Sequence, residues 1–438
     1  MLARYLLKRH RRNAKHGEGE AQETGEPDDA GAPEAEADEV ESDEPEAASE
    51  GRPDEPLIDV RDLIARYSNA EHIARANAYF ASMPEDALLL RKPFFGMMET
   101  QRNMLGVSEV LQRLKLFPGA RVLDFGAGTG WLSKVFAYLD CKAIAVDVSE
   151  SALGLGRRAF ERDPLAAGLS IDWRAFDGER LPAEDESVDR IVCYDSFHHV
   201  ADQAAMLREF YRVLTPGGRI AFHEPGPTHS QTPVAQYEMR HHDVIENDIV
   251  IEDIWRTAQE LGFTGLELAL SALTTVALPL DRYTRAISGK PSSDDLAAMM
   301  QTIIDTGAGL RIFSMTKGEE VTDSRSVAGT AGRFEITQTQ RRGDVLYGRV
   351  RAINTGTTRW RGSVTEPGGV WLGAKLRGVD YGRAWLSAAG VAPGDMVEVD
   401  FTFPAPTESP AELVFDLVAE NMMWFEATGT VPVTIRVA

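Results

Sequence analysis

Val122-Leu123-Asp124-Phe125-Gly126-Ala127-Gly128-Thr129-Gly130 reads as a buried strand closing on a carboxylate, then three glycines at alternate positions. Without side chains at 126, 128 and 130, a ligand can approach the backbone of this turn closely. Asp124 falls at the carboxyl end of its strand, where open α/β sheets bind their ligands. A second acid, Asp147, ends the next apolar run, Ala143–Val148, 23 residues later. That is about where doubly wound folds place the carboxylate that accepts ribose hydroxyls. The G-x-G-x-G spacing after a strand-terminal Asp differs from the G-x-G-x-x-G of dinucleotide sites.

These acids need strands and helices to hold them. Trp131, Leu132, Val135, Phe136 and Leu139 mark a crossover helix after the turn. Leu169–Phe176 predicts a third strand ending on Asp177-Gly178, and Val188–Tyr194 a fourth ending on Asp195-Ser196-Phe197-His198-His199. An amphipathic helix over Ala201–Leu214 leads through Thr215-Pro216-Gly217-Gly218 to a fifth strand, Arg219–His223. A helix at Ile251–Leu261, a sixth strand at Gly262–Leu270 and an antiparallel seventh at Leu310–Thr316 complete the sheet. The insert Ser271–Gly309, with a helix at Ser293–Asp305, reads as a lid or a dimer contact.

The strand-terminal Asp, the G-x-G-x-G turn and Val-Leu-x-Pro-Gly-Gly before the fifth strand resemble the class I S-adenosylmethionine-dependent methyltransferases. The resemblance implies an α/β, doubly wound Rossmann-like sheet of seven strands. It implies S-adenosylmethionine as cofactor and S-adenosylhomocysteine as product. Asp124, Gly126, Ala127, Gly128, Thr129 and Gly130 would hold the methionine end, and Asp147 with Val148 the ribose. Asp177 would accept from the adenine amino group, with Phe176 and Gly178 lining the ring, and Asp195-Ser196 would contact the methionine part.

Methyl transfer from a sulfonium needs mainly in-line positioning, while a hydroxyl acceptor gains from a base within hydrogen-bond reach. Glu224 and His229 are the first candidates, with His199 and His223 behind them. The His198-His199 pair has no carboxylate or third histidine at a ligand-like local spacing, so no metal is expected. The loop Val244-Ile245-Glu246-Asn247-Asp248 belongs to the segment that selects the acceptor.

The 438 residues divide further. Residues 1–16 carry six basic side chains and no acids, enough for at most weak membrane-surface contact. Residues 17–56 carry seventeen acids against Arg52 alone and predict disorder. Residues 57–321 form the methyltransferase-like unit, whose leading helices (57–116) are expected to cap the cofactor cleft. Residues 322–332 read as a linker. From 333 to 438 the period turns to alternation, with strands at Arg333–Gln340, Val345–Asn354, Val370–Arg377, Met396–Phe403, Ala411–Ala419 and Thr428–Val437. This predicts an all-β, immunoglobulin-like sandwich, and it resembles modules attached to bacterial surface-glycan enzymes. Its tryptophans, Trp360, Trp371, Trp385 and Trp424, are expected to be mostly core.

The net charge of −22 disfavours a nucleic-acid substrate. Two cysteines exclude a disulfide framework, and with no apolar run of spanning length a cytoplasmic location is expected. The expected acceptor is a small molecule or, more specifically, a sugar or glycan hydroxyl. The alternatives are a metabolite or protein methyltransferase with the sandwich docking a protein partner, and a non-catalytic scaffold.

Overall fold

The computed structural model describes residues 55–84, 88–270, 277–362, 367–387 and 389–437. The basic segment 1–16 and nearly all of the acidic segment 17–56 lie outside them. Seven strands form one sheet in the order β3-β2-β1-β4-β5-β7-β6. They are β1 (Arg121–Phe125), β2 (Lys142–Asp147), β3 (Ile171–Ala175), β4 (Val188–Tyr194), β5 (Leu214–Pro225), β6 (Phe263–Ala269) and β7 (Leu310–Lys317). β1 to β5 run parallel, and β7 enters antiparallel between β5 and β6. Alternate residues of β1 serve two cores. Leu123 and Phe125 face Phe210, Phe222 and Phe313, while Val122 faces Leu114, Phe136 and Phe160. Burial on both faces explains why these strands read as unbroken apolar runs.

The ten helices among the described residues are α1 (Val60–Arg66), α2 (Asn69–Ala81), α3 (Met97–Leu114), α4 (Trp131–Tyr138), α5 (Glu150–Glu161), α6 (Gln203–Val213), α7 (Pro233–His242), α8 (Ile251–Leu261), α9 (Leu280–Ile287) and α10 (Ser293–Gly307). Ser68 and Glu71 make a reciprocal capping box that starts α2. The leading helix α2 lies as a strap across the carboxyl ends of the strands. Asn69 Nδ2 donates to the Asp177 carbonyl at 2.8 Å, and Asn77 Oδ1 accepts from the Ser151 amide at 3.1 Å. On the other side Ile58 and Gln236 of α7 exchange two hydrogen bonds, at 2.8 and 3.0 Å.

Residues 271–276 of the insert lie outside the described set. The rest holds α10 where a helix was expected and also α9, which the sequence reading passed over because Pro279 and the Gly289 break leave it only eight residues. No helix among the described residues is long and apolar enough to cross a membrane.

The C-terminal part forms two antiparallel sheets. β8 (Gly332–Arg342), β9 (Val345–Asn354) and β12 (Met396–Pro404) make one. β10 (Val370–Leu376), β11 (Val379–Trp385), β13 (Ala411–Ala419), β14 (Met423–Trp424) and β15 (Val433–Val437) make the other, and both enclose Val350, Trp360, Leu372, Phe403 and Phe415. The strand expected over Thr428–Val437 is shorter, because Phe425–Thr428 forms a 3-10 turn and pairing resumes only at Val433. β11 was missed because Arg377-Gly378, which makes its hairpin turn, read as the end of a strand rather than a reversal.

The segment read as a linker is laced into the sandwich. Ser324 donates from Oγ to the Gly368 carbonyl and accepts there from the Arg361 amide, and Thr330 Oγ1 lies 2.7 Å from Thr358 Oγ1. Ser324 and Thr330 are buried hydrogen-bonding groups rather than solvated spacers. The sandwich meets the α/β unit at the amino end of β1, where Arg359 lies 4.0 Å over the Phe117 ring and Gly119 abuts Ala389. That is the edge opposite the glycine turn.

Candidate functional site

The glycine turn is built to leave its backbone open. Gly126, Gly128 and Gly130 have φ of 66°, 55° and 68°, the left-handed region that side chains disfavour. At Gly128 a Cβ would meet nothing within 4 Å, whereas at Gly126 it would stand 2.5 Å from Ser196 Cβ. Position 128 therefore presents bare backbone to a ligand, and position 126 lets the turn after β4 close against the turn after β1. Asp147 joins them, its Oδ2 accepting from the Gly128 amide at 2.7 Å and its Oδ1 from the Ser149 amide at 2.8 Å. Each oxygen has one amide donor and keeps a further lone pair. Burial raises the Asp147 carboxyl, and the two amides and nearby His199 temper the rise.

Asp124 has a structural role beneath the turn. It is 3% exposed and accepts from Ser133 Oγ of α4 at 2.6 Å. Burial raises its carboxyl to about 7, eased by Ser133 and increased by the neighbouring Asp147 charge. Asp177 is exposed, and its Oδ1 takes the Glu179 and Arg180 amides at 2.9 and 2.8 Å. Gly178 lies under the Asn69 side chain, and Val148 packs against the core. Phe176 corrects the expectation of a ring-lining side chain: it is 6% exposed and packs edge-on to Phe125 at 5.9 Å, inside the core.

Asp195, at φ 50°, turns the chain after β4, and its Oδ1 lies 3.4 Å from His223 Nδ1. His223 is 2% exposed and stacks on Tyr194 at 4.1 Å, which removes it as a free base. Ser196 Oγ is buried without a hydrogen-bond partner. An unpartnered hydroxyl beside an open, positive-φ cradle with a strand-end carboxylate fits a polar ligand such as the methyl donor.

Glu224 corrects another expectation. Its side chain is fully enclosed, and Oε1 accepts the Ser196 and Phe197 amides at 3.1 and 2.8 Å. Oε2 accepts the His198 amide at 3.3 Å and lies 2.7 Å from His198 Nδ1. Burial lifts its carboxyl to about 7, against the pull of these amides. Glu224 anchors the turn after β4 and is not available as an acceptor-facing base. Glu224→Ala is accordingly expected to cost about 3 kcal/mol for the orphaned main-chain donors and to lower the melting temperature by about 6 °C or more. Thermal denaturation checks this, because loss of an unencumbered base would leave the melting temperature unchanged.

The structure gathers His198, His199, His229 and Glu246 from three segments. His229 Nε2 lies 2.6 Å from Glu246 Oε2, and His198 Nε2 lies 3.7 Å from the same oxygen. His199 Nδ1 donates to the Ile245 carbonyl at 2.7 Å, which leaves Nε2 with its lone pair on a ring that is 42% exposed. Burial raises the Glu246 carboxyl, but the three histidines outweigh it and hold it below the ordinary glutamate value. Sequence reasoning assigned roles to His199 and His229 but none to His198 or Glu246. The only signal for Glu246 was its place in the Val244–Asp248 loop. The metal expectation had rested on local spacing, which does not register a carboxylate 47 positions downstream of His199.

Residues 123–222 match the family described as a methyltransferase domain. With the 3-2-1-4-5-7-6 sheet and the acid–glycine turn, this is a class I S-adenosylmethionine-dependent methyltransferase domain, and S-adenosylmethionine is its cofactor. Over 121 residues the chain is 31% identical to a ubiquinone biosynthesis O-methyltransferase of Pseudomonas fluorescens, covering 27% of this chain and 50% of that protein. Over 126 residues it is 32% identical to a demethylmenaquinone methyltransferase of Streptomyces griseus, covering 28% and 51%. The chain thus spans about half the length of these curated relatives. A solved methyltransferase from Haloferax volcanii, in complex with the Trm112 activator, is similar at 18% identity and a TM-score of 0.40, over 56% of this chain and 98% of that one.

Proposed function

We propose that the methyltransferase domain O-methylates a hydroxyl on a small organic acceptor. The observation that carries this is the His198–His199–Glu246–His229 cluster at the carboxyl ends of β4 and β5, the sheet edge that also holds Asp147 and the glycine turn. When bound, the cofactor supplies a methyl group on a good leaving group. The chain's task is then to align the acceptor oxygen and take up its proton as the new O–C bond forms and the S–C bond breaks. His199 is the member of the cluster with a free, exposed ring nitrogen. His199→Ala is expected to lower kcat about 100-fold while leaving S-adenosylmethionine affinity unchanged. Transfer of labelled methyl to a panel of phenolic and sugar hydroxyls tests the reading, and a chain that binds the donor but labels neither class overturns it.

The names of the relatives favour a phenolic, quinone-type acceptor. One feature of the sandwich favours a sugar. Trp385 pairs with Trp371, Trp371 with Val418, and Val418 with Trp424, so three tryptophans lie in one row across β11, β10 and β14 on one face. Trp360 alone of the four is fully buried. Lys375 and Arg383 lie 4.1 and 4.7 Å over the Trp424 ring. Partly exposed rings beside charged hydrogen-bond donors suit a saccharide face. On this reading Trp385→Ala reduces retention of the chain on immobilised glycan, and unchanged retention removes it.

A further inference from the structure

His198, His199 and Glu246 each offer a ligand atom, and these atoms lie within 4.8 Å of one another, the one such convergence among the described residues. Their surroundings match what a metal ligand needs. Glu224 Oε2 accepts from His198 Nδ1, which leaves the His198 Nε2 lone pair facing Glu246 Oε2 at 3.7 Å, too far for a hydrogen bond. A ring nitrogen lone pair and a carboxylate oxygen therefore face each other across a gap that no hydrogen bond closes. A cation satisfies both. Bonds of about 2.0–2.2 Å set neighbouring donors roughly 3–3.5 Å apart, so His198 and Glu246 are nearly in place and only the exposed His199 ring needs to close in. Both buried ligands also have outer partners, Glu224 for His198 and His229 for Glu246, the arrangement that fixes ring tautomer and carboxylate orientation at metal centres.

We propose that His198, His199 and Glu246 bind a divalent transition-metal cation, with zinc as the type case for two histidines and one carboxylate. Three protein ligands leave at least one position open. Resting on the methyltransferase reading above, that position takes the acceptor hydroxyl. With the ion bound, His199 acts on the acceptor through the metal instead of as a free base, and the hydroxyl proton passes to water as the oxygen meets the ion. The oxygen then forms its bond to methyl as the sulfonium's S–C bond breaks and the thioether leaves.

The test uses the full chain, stripped with chelator and titrated separately with cobalt(II) and zinc(II) chloride, by calorimetry and, for cobalt, by visible absorption. One site is expected, with affinity reduced at least tenfold in both His199→Ala and Glu246→Gln and unchanged in His241→Ala, an exposed histidine on α7. His199 is exposed, and glutamine at 246 still accepts from His229, so neither variant should unfold. No site for either ion, or affinity unchanged in both variants, overturns the proposal. S-adenosylmethionine binding is measured on the same samples. Ion binding without donor binding would keep the cation site and overturn the methyltransferase reading, and donor binding without ion binding would do the reverse.

Discussion

Asp147→Ala is expected to lower S-adenosylmethionine affinity about 100-fold, with NAD bound by neither protein. The carboxylate ends β2 beside the open backbone of Gly128, and each oxygen has one amide and one remaining lone pair. Hydrogen bonds to a charged group contribute about 1.5–3 kcal/mol each, and a hundredfold change needs about 2.7 kcal/mol, so losing the ribose pair suffices. The same substitution leaves the Gly128 and Ser149 amides without their partner, so some loosening of the turn adds to the loss. Calorimetric titration of the full chain measures it. Unchanged affinity would remove the ribose from Asp147.

The second large effect concerns pH. Asp124 has its carboxyl at about 7, against 3.8 for an ordinary aspartate, because it is buried under the turn. A folded value above the unfolded one means that folding favours the protonated form. The associated stability is fully present below about pH 3.8 and is lost as the pH rises through 7. Asp124→Asn, which keeps an acceptor for Ser133 Oγ, is therefore expected to be the more stable protein at pH 8, by as much as ~4 kcal/mol. Toward pH 4 the difference should close. Denaturant unfolding of both proteins at pH 4, 6 and 8 decides it, and a difference that does not change with pH would show that Asp124 is not titrating in this range.

The two carboxylates, which the resemblance gave to the methionine end and to the ribose, differ in what the fold brings to them. Asp124 holds α4 to the strand end through Ser133, and Asp147 holds the turn and keeps lone pairs free. Glu224, equally acidic in sequence and first among the base candidates, proved an internal anchor, because four donors converge on it: the Ser196, Phe197 and His198 amides and the His198 ring. The deciding quantity in each case is how many donors the fold brings to the carboxylate, and a sequence does not display that number.

What the sequence determined by itself was set by short-range physics. Runs buried on both faces identified β1, β2 and β4. Glycines at alternate positions identified the turn, since φ between 55° and 68° at three sites is tolerated by little else. Alternation identified most of the sandwich strands, β9 and β13 to the residue. The tertiary structure alone decided which side chains meet. Glu246 reaches His198 and His229 because the loop after α7 returns beneath the turn after β4, where the Asn247 amide donates to the His198 carbonyl at 2.9 Å. Phe176 faces inward and Ser324 is buried because their neighbours come from distant segments. Convergence of residues far apart in the chain depends on how the elements pack, and that packing turns a histidine pair and a remote glutamate into one cluster.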